Sequence, residues 1–561
     1  MNYTSAVGTL EDIVLTASTE ADQELARIAL EFSAADFGGP LSSGELDLVN
    51  AARALPRPSD ASVRDIRAAV RAGADPMGDL LLALRTRAER RPHGVFYTPT
   101  SIVRPIVDWV LSRKPSRVVD AGCGSGRFAL EIAKRQPLLP ILAIDIDPLA
   151  TLVARANLGL VKANGAQILN VDYLTWPYQN TDGSTAFLGN PPYVRYRELK
   201  QSTRDWAFAA SRATGGPVAG HVGLHALFFL ATSFKARPGD IGSFVTSADW
   251  LDTRYGSVVR SLFLDGLGGC VLNLLDPRTA AFDAQTTVLV SNFEVGSTPR
   301  AVSVSFVKST RQLSTVGLGR LVPIERFRET NRWSPLLKSK PHNRNTRCVA
   351  PLSDLVSVHR GLATGANAYF VLTRQRAHEL GLDSWCRPAI TSAREIQTSN
   401  GVVHDNPSLR VVLVIPSDLK RELFPALDNY LSVGETALDG NSPICERYLT
   451  SQRKPWWSLA IKHVPPIVST YMARQPPIFA SNPDGLVVLN IAHGLYPKAL
   501  LGNEARRRLV VFLNGCRDLF RGHGRIYHGG LEKFEPRDLR SVRLPFPVEV
   551  PELNYRGGKI A

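Results

Sequence analysis

Arg117-Val-Val-Asp-Ala-Gly-Cys-Gly-Ser-Gly126, running on into Arg127-Phe-Ala-Leu-Glu-Ile-Ala-Lys134, decides the fold. The apolar run closing on Asp120 reads as a buried strand, and Arg127 to Lys134 carries apolar residues at helical spacing. Between them Gly122, Gly124 and Gly126 permit a tight turn and a close approach of backbone to ligand. Strand, glycine turn and helix form the opening unit of an open parallel sheet, whose ligands bind at the carboxyl ends of the strands. The loop lacks the Lys-Ser/Thr of a phosphate-binding loop. Its spacing is also not the Gly-x-Gly-x-x-Gly of nicotinamide enzymes.

The pattern continues downstream. Ile141 to Asp145 reads as a second strand and Pro148 to Leu160 as a second helix, followed by strands at Gln167–Asp172 and Ala186–Gly189. His225 to Phe234 reads as a helix, Gly242 to Thr246 as a strand and Thr287 to Phe293 as a late strand. Strand and helix in alternation predict an α/β fold with about seven mostly parallel strands. Upstream, residues 1–90 read as a helical segment carrying no identifiable chemistry, with periodic stretches at Ala21–Phe32 and Asp60–Arg71 punctuated by Gly38-Gly39-Pro40 and Pro56-Arg57-Pro58. Residues 91–296 then form the α/β domain. The stretch 297–350, rich in Arg, Ser, Thr and Pro, reads as a connection, and 351–561 as a mixed α+β domain.

Two further strand ends carry carboxylates. Asp145 follows the glycine loop at the distance where a carboxylate accepts from both hydroxyls of a ribose, and Asp172 closes the third strand, placed to receive the amino group of an adenine. Each alone could instead cap the segment that follows it. Three successive strands ending on Asp120, Asp145 and Asp172 favour a bound nucleoside. After the fourth strand comes Asn190-Pro191-Pro192-Tyr193. Consecutive prolines fix the backbone and remove amide donors, leaving carbonyls free to accept. The Asn190 side chain and the Pro191 carbonyl can together take both hydrogens of one planar amino group and stabilise the charge that develops on its nitrogen during transfer. The Tyr193 ring offers a face on which an extruded base can stack. The alternative is a Pro-Pro turn with a packing tyrosine.

Charge is unevenly distributed. Residues 1–300 carry 30 basic and 30 acidic side chains, whereas residues 301–561 carry 36 and 21 of the totals of 66 and 51, so the whole net charge of +15 lies in the second half. A basic half fits a polyanion partner, although a basic surface also serves solubility. The six cysteines are scattered without a Cys-x-x-Cys pair. That argues against a zinc ribbon, a redox motif or a disulfide framework, so no metal is expected and a cytoplasmic, reducing location is. No apolar run is long enough to span a bilayer and no secretory signal is visible, so no membrane partner is expected.

These residues together resemble the gamma class of adenine-N6 DNA methyltransferases from bacterial restriction–modification systems, over roughly residues 93–545. His93-Gly-Val-Phe-Tyr-Thr-Pro99 is similar to the family's upstream motif, which makes Phe96 and Thr98 cofactor contacts. Asp120 to Gly126 resembles its glycine motif, Asp145 its ribose carboxylate, and Asp172-Tyr173-Leu-Thr-Trp176 its adenine-contacting motif. Asn190 to Tyr193 matches the catalytic loop. Ala281-Phe282-Asp-Ala-Gln-Thr-Thr-Val resembles the late motif whose aromatic residue opposes the tyrosine across the flipped base. Leu352 to Phe370 and Tyr527 to Pro545 are similar to the ends of its target recognition domain, with Arg360, Lys533 and Arg537 as candidate DNA contacts.

The resemblance implies a Rossmann-like class I methyltransferase domain followed by a target recognition domain, with S-adenosyl-L-methionine as cofactor. It implies double-stranded DNA as substrate, site-specific transfer to the amino group of a flipped-out adenine, and a monomer. Three other readings stand beside it. A protein-glutamine methyltransferase would use the same loop, but that family is about half this length and has no large basic domain. An RNA base methyltransferase would be served equally by charge and stacking. A DNA-binding protein without activity would be expected to lack Asn190, Tyr193 or Asp145. A fused nuclease is disfavoured: Glu131-Ile-Ala-Lys134 has one residue too many for a Glu-x-Lys strand and reads as helix, and Glu198-Leu-Lys200 sits just past the catalytic loop. A separately encoded restriction endonuclease is the expected partner.

Overall fold

The computed structural model describes residues 18–84, 98–214, 222–253, 255–276, 287–315, 319–337, 350–436, 442–459, 461, 463–526, 531–545, 550, 555–556 and 559–560. The chain divides into two compact units, Met1–Ser339 and Lys340–Ala561.

The first unit is built on a nine-stranded sheet. Its strands in chain order are β1 (Arg117–Ala121), β2 (Ile141–Asp145), β3 (Ala166–Asn170), β4 (Thr185–Gly189), β5 (Ile241–Ser247), β6 (Gly269–Leu275), β7 (Val288–Glu294), β8 (Ala301–Val307) and β9 (Arg320–Pro323). The spatial order is β3-β2-β1-β4-β5-β7-β6-β8-β9. From β3 through β5 all pairs are parallel, and β7 runs antiparallel to both its neighbours. The order turns back on itself between β1 and β4, so a crevice is expected there.

Alternation along single strands shows both faces covered. Val118, Ala143 and Leu188 belong to one buried cluster, and their chain neighbours Val119, Ile144 and Phe187 to another. Side chains two apart share a face, so the clusters lie on opposite sides of the sheet. Helices α5 (Thr100–Leu111), α6 (Arg127–Arg135) and α7 (Pro148–Leu160) supply the first cluster, and α9 (Leu224–Lys235), which follows α8 (Gln201–Ala213), supplies much of the second.

The amino-terminal segment holds four described helices, α1 (Ser18–Leu30), α2 (Ser43–Arg53), α3 (Asp60–Ala72) and α4 (Pro76–Ala83), and they share the first cluster with the sheet. A separate helical segment over 1–90 therefore does not describe it. Arg155 of α7 and Glu45 of α2 form a fully buried ion pair at 2.8 Å. Arg155 also donates to the carbonyls of Phe37, Gly39, Pro40 and Ile168. Gly38 has φ +83°, and a Cβ there would stand 2.1 Å from Ile168 Cδ1, so the close approach of this turn to β3 favours glycine.

The expected connection over 297–350 also differs from what is seen. Its first part contributes β8 and β9 to the sheet, which raises the strand count from about seven to nine, and the unit boundary falls at Ser339. Val302, Val304 and Val307 are buried on β8, while Trp333 packs at 4.8 Å from Phe327 and 5.9 Å from Trp250. Serines between the valines had masked a strand that needs apolar residues mainly on one face.

The second unit mixes short strands and helices, as expected. One four-stranded antiparallel sheet runs in the order Val356–Arg360, Ala492–Pro497, Ile467–Thr470, Phe479–Ser481, and packs beneath the helix Asn503–Gly515. A second sheet is ordered Val371–Leu372, Val411–Leu413, Cys386–Ile390, Val487–Val488. Among the described residues no helix is long and apolar enough to cross a membrane.

Candidate active site

The register of the parallel strands brings Asp145, Asp172, the glycine loop and Asn190 to one edge. Ala121 is level with Ile144, Asp145 with Asn170, and Asp120 with Leu188. The segments that follow β3, β2, β1 and β4 therefore emerge side by side, carrying Asp172, Asp145, the glycine loop and Asn190 in that order.

In the loop, Gly122, Gly124 and Gly126 have φ of +69°, +55° and +82°. All three lie in the left-handed region that side chains disfavour, which explains the spacing. The amides of Gly122 and Cys123 both donate to the Ile144 carbonyl at 2.9 Å, tying the loop to β2. A Cβ on Gly126 would meet Ala154 of α7 at 3.3 Å.

Asp145 accepts the Gly124 amide on Oδ2 (2.8 Å) and the Asp147 amide on Oδ1 (3.0 Å). Burial, reinforced by the Asp147 charge, pushes its carboxyl up to about 6, against the pull of these amides. The capping alternative is thus partly true of Asp145, but the contact with Gly124 couples it to the loop as well. Asp172 accepts the amide of Leu174, a local turn of the kind the same alternative describes.

Asp120 and Tyr173 were expected to touch cofactor, and both side chains lie inside the protein. Asp120 is fully buried; its Oδ2 accepts the Ala129 amide of α6 and its Oδ1 has no hydrogen-bond partner among the described residues. Burial first, and the Asp145 charge in addition, push its carboxyl up to about 7. Tyr173 stacks on Phe228 of α9 at 5.0 Å, and its hydroxyl pairs with Thr232 Oγ1. These two side chains brace the elements behind the edge. Thr98 is buried, and its carbonyl accepts from Arg127 Nη1 at 3.4 Å. Phe96 and Phe282 lie outside the described residues.

Asn190 to Tyr193 follows β4 directly and has no regular secondary structure. A Cβ on Gly122 would touch Phe228 Cε1 at 3.5 Å and Pro192 Cδ at 3.8 Å, so this loop and the glycine loop lie against each other. Pro191 is buried, and Asn190 and Tyr193 are half-buried. The Tyr193 ring meets His225, near the start of α9, edge-on at 5.8 Å and 75°. Burial raises the Tyr193 phenol and lowers the His225 imidazole to about 4, so both are neutral at pH 7. Both His225 ring nitrogens are buried without a hydrogen-bond partner among the described residues.

Sequence reasoning passed over three residues of this edge. His225 gives no local signal, because its role comes from packing against a loop 32 positions earlier. Ile146 and Val171 are 66% and 37% exposed at neighbouring strand ends, joined by the hydrogen bond from the Val171 amide to the Asp145 carbonyl. An isoleucine between Asp145 and Asp147 was a readable sign of an apolar side chain left exposed at this edge.

In the second unit, two of the three expected polyanion contacts converge. Arg360 Nη2 donates to the Tyr471 hydroxyl at 3.1 Å, with its guanidinium 5.1 Å from that ring. Lys533 Nζ is also 5.1 Å from the ring and pairs with Glu535 at 2.8 Å. Arg537 is on the short helix Pro536–Arg540, with a side chain 57% exposed.

Comparison with known proteins places this architecture. Residues 74–218 match the family model described as N-6 DNA Methylase, and residues 342–556 the one described as Type II methyltransferase M.Eco57I, C-terminal domain. The type II methyltransferase M.XamI of Xanthomonas campestris pv. amaranthicola is 37% identical over 491 residues, covering 86% of this chain and 90% of that protein. M.AccI of Acinetobacter calcoaceticus, another type II methyltransferase, is 24% identical over 80% of this chain and 85% of its own length. The solved structure of the type IIL restriction–modification enzyme MmeI in complex with DNA has a similar fold, with a TM-score of 0.56 and 14% identity over 85% of this chain and 70% of that one. With an extended relative above one-third identity and family matches in both units, the chain belongs to the restriction–modification methyltransferases of the N-6 DNA methylase type.

Proposed function

We propose that this methyltransferase acts on adenine N6 at specific sites in double-stranded DNA, with S-adenosyl-L-methionine as its methyl donor, in partnership with a separately encoded restriction endonuclease. The observation that carries the reading is the nearness of Pro192 to the glycine loop, where a Cβ on Gly122 would reach its Cδ at 3.8 Å. It supports the reading because the loop carrying the proposed amino-group acceptors lies next to the glycine turn, where the strand order reverses between β1 and β4.

The residues present fit the cofactor. Asp145 keeps a carboxylate at the edge, ordered by two backbone amides, where it can accept from ribose hydroxyls. Ile146 and Val171 leave large apolar side chains exposed at the same strand ends, as an adenine ring requires. The turn at Gly122, Gly124 and Gly126 leaves room for backbone to approach the remainder. When bound, the cofactor supplies an electrophilic methyl carbon on a sulfonium sulfur.

The chain's own groups then hold the target. The Asn190 side-chain carbonyl and the Pro191 backbone carbonyl accept the two hydrogens of the adenine amino group. Charge builds on that nitrogen as its bond forms, and the acceptors stabilise it most at that point. Tyr193 supplies a neutral stacking face, its ring braced edge-on by the neutral imidazole of His225. No base is needed in the transfer step, because the methylated nitrogen can release its proton afterwards.

Purified protein given methyl-labelled cofactor and duplex DNA is expected to label adenine N6. Label confined to RNA, to protein or to cytosine would overturn the reading. Asn190→Ala is expected to lower transfer by ~10²–10³ while cofactor binding persists, the usual scale for loss of one transition-state acceptor. A variant that transfers at a near-normal rate would remove Asn190 from the mechanism.

A further inference from the structure

Asp75 caps helix α4 and is 7% exposed, yet most of what it holds lies far from it in the chain. Its Oδ1 accepts the Gly78 amide (2.9 Å) and Asn157 Nδ2 (2.9 Å). Its Oδ2 accepts the Ser125 hydroxyl (2.5 Å) and Arg127 Nε (2.8 Å). Ser125 stands between two positive-φ glycines of the cofactor loop, and its carbonyl is held in turn by Asn157 Nδ2 at 3.0 Å. The guanidinium of Arg127 continues the network, to Asp79 of α4 at 2.5 Å and to the Thr98 carbonyl at 3.4 Å. One buried carboxylate from the amino-terminal helices thus grips the glycine loop from behind, and through Arg127 it is linked to Thr98.

We propose that Asp75 is a positioning residue for cofactor binding, and that α4 is a working part of the cofactor site. The inference rests on reading the glycine loop as that site. A loop with three left-handed residues loses much conformational freedom when it orders, and a contact that sets its shape beforehand removes that cost from binding. Fixing Ser125 also fixes the adjacent Gly124 amide, the donor that orders Asp145.

Two different lesions break the same contact. Asp75→Asn keeps the size and can keep the cap on Gly78, but places an amide nitrogen where Arg127 Nε and the Ser125 hydroxyl both donate. Gly78→Ala suits a helix better than glycine, yet its Cβ would stand 2.0 Å from Asp75 Oδ2 and 2.5 Å from Ser125 Oγ, forcing them apart. Affinity for S-adenosylhomocysteine, measured by calorimetry on the full-length protein, should fall roughly ten- to hundredfold in each variant. The KM for S-adenosylmethionine should rise in parallel while kcat at saturation changes by less than about threefold. Thermal melts without ligand identify variants that are folded at the measuring temperature, and Gly78→Ala carries the test if Asp75→Asn is not. If wild type binds, Asp145→Ala does not, and the folded Asp75 and Gly78 variants bind like wild type, the inference is overturned and the cofactor reading stands. Wild type that binds neither compound overturns both.

Discussion

At the scale of single residues, the edge of the sheet sets one pH dependence. The Asp145 carboxyl is raised to about 6 by burial and by Asp147, and under the proposed function ribose hydroxyls would donate to its ionised form. Ligand binding therefore favours the deprotonated group, and affinity should hold above pH 6 and fall below it, by about tenfold for each further unit. Asp145→Asn should bind weakly at every pH with this step gone. Calorimetric Kd values for S-adenosylhomocysteine between pH 5 and 8 decide it, since a flat wild-type profile would detach Asp145 from the ligand. His225, lowered to about 4, stays neutral across that window and cannot be the source of the step.

At the scale of elements, the ion pair between α2 and α7 is where the amino-terminal helices join the sheet. Both partners are fully buried, and Glu45 also closes the capping box of α2 through the Ser42 amide. Removing one partner strands a charge in the core, so Glu45→Ala should lower unfolding free energy by about 3–5 kcal/mol, read from urea denaturation. A loss below about 1 kcal/mol would show that the pair does not anchor the helices. Neither this pair nor Asp75 was legible in the sequence, because each joins segments 50 or more positions apart. The strands, the glycine turn and the loop after β4 were legible because strand, turn and spacing are local signals, although β3 ends at Asn170, two residues short of the expected Asp172. Asp120 and Tyr173 mark the limit of that reading: both were read as cofactor contacts, and that their side chains point into the core depends on packing that the sequence does not show. β8 went unread for a related reason, since serine-rich composition resembles a linker unless its alternate valines are buried by something else.

At the scale of the whole molecule, the unit boundary redistributes the charge. Residues 301–339, with seven basic and two acidic side chains, belong to the first unit, leaving 29 basic and 19 acidic in the second. Both units are therefore positive, the second more strongly. A polyanion held by such surfaces displaces counterions, so the affinity of the full-length protein for duplex DNA should fall linearly in log Kd against log salt. Arg360 and Lys533 share Tyr471, and Lys533 is already paired with Glu535, whereas among the described residues the exposed Arg537 has a carboxylate only at 3.8 Å, on Asp538. Under the proposed function a phosphate meets Arg537 and Arg360 at less cost than Lys533, whose existing pair must first open. Arg537→Ala and Arg360→Ala should each reduce the salt slope by about one and weaken binding to specific and unrelated duplexes alike. Lys533→Ala should change it less, and Asn190→Ala should leave it unchanged. Fluorescence anisotropy of labelled duplex at several salt concentrations makes the comparison; slopes equal to wild type in both arginine variants would move the polyanion contact away from this part of the second unit.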